Sequence, residues 1–290
     1  MDTASLCTVE KRGAVHVITL TGAGEHRLGP PLLSALRSAV AAVRAAAAAG
    51  AGGALVIAGE GKYFSNGFDL DWARTVPAEL HASMGGAFRG LVADLLALPV
   101  PTVAAVTGHA AAAGCALALA HDAVVMRASR GFLYMSEVDA GLKIVDFFAE
   151  LIRQKVPDAV NRRDLVLRGD KMTAADALRR GIVDAAVDGG VDDVVAAAVR
   201  EAEALAARGW DGEIVAETRK AIWPELWAKV KDHATDEPPP PPPRPRLDVQ
   251  VHYLIINKQS CKIKTGSRPG CEGKRRREWT TIWQACIGLS

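Results

Sequence analysis

Glu137 is a carboxylate set among apolar neighbours in Tyr134-Met135-Ser136-Glu137-Val138. Burial would raise its pKa and make it a general base usable near neutral pH. Taken alone, a solvated loop glutamate is the commoner arrangement. Two glycine-interrupted loops each follow an apolar run: Phe64-Ser65-Asn66-Gly67-Phe68-Asp69-Leu70, and Thr107-Gly108-His109 through Ala113-Gly114-Cys115-Ala116. Backbone N–H groups at a strand-to-helix turn have no acceptor in the helix, so they can face a developing negative oxygen. Two such loops converging would form an oxyanion hole from main chain alone. Singly, each also reads as an ordinary structural turn.

The elements that must position these pieces are legible as an alternation. Val15 to Leu20 is a β-rich run. Pro30-Pro31 opens a helix with Leu33, Leu36, Val40 and Val43 on one stripe, ending in alanines near Gly50. Ala54 to Ala58 is a bare apolar run, as expected of a strand covered on both faces. The stretch Gly61 to Asp69 reads as a loop. A second amphipathic helix carries Phe88, Leu91, Val92 and Leu95 and stops at Pro99. Thr102 to Val106 predicts a buried strand followed at once by Gly108 and an alanine-rich helix to His121, and Ala123 to Met126 a further strand. This alternation points to an α/β architecture with parallel pairing. Beyond residue 150 the pattern turns helical. Thr173 with Asp176 suggests a capping box on a helix ending at Gly181, Asp192 to Arg208 a long helix, and Ile214 to Val230 another broken at Pro224.

A chain of 290 residues, 49% hydrophobic and 23% charged, suits one large domain or two modest ones and excludes wholesale disorder. A net charge of +2 argues against nucleic acid as the main partner. The charge is uneven: from Asp248 to the end there are eight Lys/Arg against three Asp/Glu. The five cysteines include no C-x-x-C pair, so neither a zinc ribbon nor a redox motif is supported. Val103 to Ala120 mimics a membrane span, but its glycines, histidine and flanking prolines favour a buried strand plus helix. Residues 1–11 lack the apolar core of a secretory signal.

The order and spacing of the three chemical pieces, with Gly181-Ile182-Val183-Asp184, resemble the crotonase (enoyl-CoA hydratase/isomerase) superfamily over residues 6–230, and within it the plant peroxisomal Δ3,Δ2-enoyl-CoA isomerases. The resemblance implies a crotonase-like spiral of ββα turns with a helical C-terminal trimerisation region. The corresponding division is a catalytic core over 1–190, a helical region over 191–237, and a proline-rich linker with a basic, disordered tail over 238–290. It implies an acyl-CoA thioester lying against Ser65, Asn66, Gly67, Phe68, Asp69 and Leu70, and against Ala112, Ala113 and Gly114. The thioester oxygen would sit between the N–H groups of Phe68 and Ala113, with Glu137 as catalytic base. Hydratases of this family carry two glutamates; the position of the first is Ala116 here. One carboxylate suffices to move a proton from C2 to C4, so the expected activity is Δ3,Δ2-enoyl-CoA isomerisation in β-oxidation of unsaturated fatty acids. The alternatives are a hydratase or other crotonase-type CoA enzyme, and a non-catalytic CoA-ester-binding protein. No cofactor beyond the substrate's coenzyme A, no metal, no nucleic acid and no membrane span are expected, and the assembly implied is a homotrimer or a dimer of trimers.

Other residues favour structural roles. Asp69 reads first as a helix cap. His109 reads as a satisfied core histidine, and His26 either as a contact to the CoA pyrophosphate or as part of a solvated turn. Ser65 has no His/Asp partners in a triad arrangement, and there is no G-x-G-x-x-G or G-K-[ST] loop. The alanine-rich oxyanion loop has less freedom for left-handed angles than consecutive glycines would. Family resemblance implies a peroxisomal location. The signal-like tripeptide Pro245-Arg246-Leu247 is internal, followed by 43 residues, and such addresses are read at a free carboxyl terminus, which leaves cytosolic retention open.

Overall fold

Both faces of the apolar run Ala54–Gly59 are covered, which is why it carries no alternation. The computed structural model describes residues 6–22 and 24–234, so the linker, the basic tail and residues 245–247 lie outside the described residues. In chain order the elements are β1 (Cys7–Arg12), β2 (Val15–Leu20), α1 (Pro30–Ala46), β3 (Ala54–Gly59), β4 (Tyr63–Ser65), α2 (Leu70–Ala73), α3 (Ala78–Leu96), β5 (Thr102–Val106), β6 (His109–Ala111) and α4 (Ala113–Leu119). They continue as β7 (Ala123–Arg127), β8 (Leu133–Tyr134), α5 (Asp146–Lys155), α6 (Ala159–Arg162), α7 (Ala174–Arg179), β9 (Ala185–Val187), α8 (Val191–Ala206), α9 (Gly212–Ile222) and α10 (Pro224–Val230).

Three successive turns, β3-β4-α3, β5-β6-α4 and β7-β8-α5, have the expected ββα form. Each contributes its first strand to a six-stranded sheet of order β1-β2-β3-β5-β7-β9 and its second to a three-stranded sheet of order β4-β6-β8. Between the named strands, β1 and β2 pair antiparallel and the other pairs are parallel, and Leu133 of β8 makes a further antiparallel bridge to Met172. On one face of the large sheet, Val15, Val17, Val56, Val103 and Val125 pack against Val194, Ala198 and Ala202 of α8. The other face, with Ile18, Leu55, Ile57, Ala104 and Met126, belongs to the main core with Leu33, Leu36 and Val40 of α1 and Phe88 and Leu91 of α3. Each fully buried Val, Leu, Ile, Phe or Met among these contributes roughly 1.5–3 kcal/mol. The helix over Pro30–Gly50 is long and apolar enough to cross a membrane, yet Leu33, Leu36 and Val40 of its stripe are wholly buried in the core.

The run 103–120 divides into strand and buried helix as expected, and the capping box of Thr173 and Asp176 is formed. The break at Pro224 separates α9 from α10. Arg219 holds α9 to the body: its guanidinium, 3% exposed, donates to both carboxylate oxygens of Asp122 at 2.7 Å and to the carbonyls of Leu98 and Val100.

Three expectations are corrected. The stretch 61–69 is not all loop, since Tyr63–Ser65 forms β4. The helix does not follow Gly108 at once. Ala110 and Ala112 donate to the carbonyls of Phe132 and Tyr134 at 2.9 Å, which makes His109–Ala111 a strand and delays the helix to Ala113. Tertiary pairing thus overrides alanine's helix preference. Finally, the region beyond residue 150 is not purely helical: β9 pairs with β7, anchored where Val124 donates to the Asp184 carboxylate at 2.7 Å and Asp184 to the Val124 carbonyl at 2.9 Å.

Candidate active site

The small sheet brings the chemical pieces together. Its strands β4, β6 and β8 run parallel, so all leave at one edge: β4 into Asn66-Gly67-Phe68, β6 into Ala112-Ala113, and β8 toward Glu137. Neighbouring strands lie about 4.8 Å apart, so the three exits fall within roughly 10 Å. Ligands of open α/β sheets commonly bind at such carboxyl edges.

The first two loops touch. A Cβ built on Gly67, whose φ is +81°, would lie 3.1 Å from the Ala111 carbonyl and 3.4 Å from the Ala113 nitrogen. Gly114 makes the reciprocal approach: a Cβ there would overlap the Ser65 carbonyl oxygen and lie 2.8 Å from the Ser65 Cβ. Glycine is therefore a packing requirement at 114, and at 67 it is favoured by the left-handed backbone angle. Ala113 is the first residue of α4, so its N–H has no acceptor within that helix. Phe68 stands just before Asp69, which caps α2 by accepting from the Trp72 N–H at 2.9 Å. Capping is thus what Asp69 does. The Phe68 ring packs with Phe88 and Phe148.

Glu137 is 2% exposed, and neither carboxylate oxygen meets a hydrogen-bond donor. Burial pushes its pKa up to about 7 from 4.5; the main-chain groups of Glu137 and Ser136 hold it back only in part. Of the two arrangements open to this residue, the buried one is found. Its main chain is fixed by the Leu142 N–H, which donates to the Glu137 carbonyl at 2.7 Å. Its charge reaches α4, where it adds to burial in raising the Cys115 thiol. Beside Cys115, Ala116 is fully buried, and α4 (Ala113–Leu119) carries no carboxylate.

The strained angle anticipated for the alanine-rich loop is real. Ala112, the N-cap of α4, has φ 50° and ψ −120°, a conformation costing a residue with a Cβ about 1–3 kcal/mol. Ala112→Gly is expected to stabilise the fold by about 1 kcal/mol, or a rise of about 2–4 °C in Tm. Calorimetry on the two chains checks this, and an unchanged or lower Tm contradicts it.

The remaining singled-out residues sit as follows. Ser65 is fully buried; its hydroxyl donates to the His26 carbonyl at 2.8 Å and accepts from the Gly67 N–H at 3.3 Å. Asn66 Nδ2 donates to Glu25 at 3.1 Å. His26 is in neither of its expected places. It is 8% exposed, and its ring faces the carbonyls of Tyr63, Phe64 and Gly22. His109 is half-buried between the rings of Tyr63 and Phe132. Sequence reasoning missed the part of His26, because its partners lie 37 and 38 residues away.

The molecule is thus an α/β protein built as a spiral of ββα turns, with the loops after β4 and β6 and the segment leading to Glu137 all leaving one edge of its small sheet. The chain belongs to the enoyl-CoA hydratase/isomerase family, whose model matches residues 10–221. Among its relatives, an Arabidopsis thaliana protein named enoyl-CoA delta isomerase 2, peroxisomal, is 46% identical over 226 residues, covering 76% of this chain and 93% of that protein. Another, enoyl-CoA delta isomerase 3 of the same plant, is 44% identical over 225 residues, covering 76% and 93%. The solved apo structure of a Mycobacterium tuberculosis enoyl-CoA isomerase superposes with a TM-score of 0.68 at 26% identity, over 80% of this chain and 96% of that one.

Proposed function

We propose that this chain is an enoyl-CoA delta isomerase, moving the double bond of a 3-enoyl-CoA to the 2-position. The observation that carries the reading is one buried carboxylate, Glu137, whose oxygens have no hydrogen-bond partner, together with an α4 that has alanine at 116 and no carboxylate of its own. Water addition needs a water held and activated and a proton delivered, work that two carboxylates share. Double-bond migration needs one group that takes a proton and gives it back. The names of the two Arabidopsis relatives support the same activity.

In this reading the thioester carbonyl oxygen accepts from the N–H groups of Phe68 and Ala113. The Glu137 carboxylate takes the C2 proton, and the electron pair left at C2 is shared, as a dienolate, between the thioester oxygen through C1 and C4 through the C3–C4 double bond. The two amides stabilise that oxygen because they are fixed before charge develops. Glu137, now protonated, returns the proton to C4, and the double bond settles between C2 and C3. The closed carboxyl excludes water from the proton it carries. The substrate's CoA ester lies against residues 65–70 and 112–114, and the chemistry needs no cofactor.

The peroxisomal location in the name of the first relative suits the same role. Assembly into trimers belongs to the reading too. Support comes from Trp210, Ile214 and Ile222, which are 49%, 64% and 57% exposed and line a cavity of about 610 Å³ against Trp223. The test is to incubate the chain separately with 3-enoyl-CoA and 2-enoyl-CoA. The reading expects double-bond migration with the first and no net hydration of the second. Hydration of 2-enoyl-CoA as the dominant activity would favour a hydratase, and no turnover of either a binding protein.

A further inference from the structure

Among the described residues, only two that are not glycine have positive φ: Ala112 at 50° and His26 at 45°. Ala112 directly precedes the Ala113 N–H. His26 lies far in sequence from Phe68, yet the segment around it is strapped along the loop that carries Phe68. The Asn66 N–H donates to the Glu25 carbonyl at 2.9 Å, and the Leu28 N–H to the Gly67 carbonyl at 2.8 Å. Between them, the Ser65 hydroxyl joins the His26 carbonyl to the Gly67 N–H. The peptide on the N-terminal side of Phe68 is thereby held at its carbonyl oxygen, at its preceding N–H and through Ser65.

The His26 side chain ties residues 25–28 to β4 as well. Nδ1 lies 2.9 Å from the Tyr63 carbonyl and 3.2 Å from the Phe64 carbonyl, both on β4, and Nε2 lies 3.0 Å from the Gly22 carbonyl. All three partners are carbonyl oxygens, which only accept; a neutral ring with its proton on Nδ1 donates to β4, and only a doubly protonated ring donates to Gly22 as well. It closes a loop running from β4 through His26 to Ser65 and back to Gly67. Left-handed backbone angles are tolerated by histidine better than by most residues, and such angles gather at sites whose geometry is held by their surroundings.

We infer that His26 is a positioning residue of the oxyanion hole, its ring and left-handed backbone setting, through Ser65, the direction of the Phe68 N–H. The inference rests on the isomerase reading above, because the donor has a purpose only when an oxyanion forms. It differs from a general packing role in what it should alter. Misdirecting one donor weakens the transition state and leaves ground-state binding nearly intact.

The test uses two variants. His26→Asn keeps a residue tolerant of left-handed angles but removes the ring, and Ser65→Ala removes the hydroxyl bridge while leaving the ring. Both are assayed for kcat and KM on 3-enoyl-CoA and for binding of a saturated acyl-CoA, with circular dichroism to confirm folding. Loss of a whole donor costs roughly 10²–10³-fold, so misdirection should lower kcat by about 10–100-fold. KM and the saturated-ester Kd should stay within about threefold. Unchanged kcat in folded His26→Asn, or KM rising in step with a weakened Kd at constant kcat, overturns the inference alone. Absence of turnover in the unsubstituted chain overturns the isomerase reading, and the inference with it.

Discussion

Replacing Glu137 by glutamine is expected to lower kcat on 3-enoyl-CoA by about 10⁴-fold, the upper end of what general acid–base catalysis supplies, because no other carboxylate is proposed to take its place. Binding of a saturated acyl-CoA should change little, since the amide keeps the shape of the acid. The same substitution should stabilise the fold. The folded carboxyl titrates near 7 rather than 4.5, so the charged form is disfavoured in the folded state. Stability therefore falls as pH rises from about 4.5 to about 7 and stays low above that. Glutamine removes the deficit, so Glu137→Gln should exceed the unsubstituted chain by about 3 kcal/mol at pH 8 and match it below about pH 4. Urea unfolding of both chains at the two pH values checks this. Correspondingly, kcat/KM of the unsubstituted chain should rise tenfold per pH unit below about 7 and level off above it. A flat profile with a stability loss in Glu137→Gln would mean that the carboxylate is held charged by partners in a structural role.

Gly114→Ala should be severely damaging to both fold and turnover. The added Cβ meets the Ser65 carbonyl carbon and Cβ at 2.8 Å and overlaps the carbonyl oxygen, and these are backbone or fully buried atoms with nowhere to move. Relief requires the start of α4 and the loop after β4 to separate, which are the two segments that present the proposed donors. Overpacking of this kind costs about 3 kcal/mol, and separating the donors should cost about 10²-fold or more in kcat. Paired measurement of Tm and turnover checks both. Unaltered turnover in a folded Gly114→Ala would separate the contact between the loops from catalysis.

Much of this arrangement is legible in the sequence where local and long-range preferences agree. Ala54 to Ala58 and Thr102 to Val106 read as buried strands because both of their faces are covered, so every position had to be apolar. Asp69, Thr173 and Pro224 act through neighbours within a few residues, and each does what its type suggests. The failures lie where distant chain decides. His109–Ala111 is helix-prone by composition but is claimed by β8, 23 residues on. His26 sits beside Glu25 and Arg27, two charges that suggest a solvated turn, while its ring partners come from β4. Glu137 is ambiguous in sequence for the same reason: it is buried in the fold, and its immediate neighbours do not decide that. The resemblance to a family supplies what local chemistry does not, namely the expectation that the three pieces meet.

The account rests on one carboxyl carrying one proton between two carbons of the same substrate. A 3-enoyl-CoA bearing deuterium at both C2 positions tests this most directly, with the 2-enoyl-CoA product of the first turnovers read by mass and magnetic resonance. Because the Glu137 carboxyl is closed off from solvent, the account predicts product with one deuterium at C2 and measurable deuterium at C4. A product whose added C4 hydrogen comes wholly from water, even in the first turnover, would contradict it.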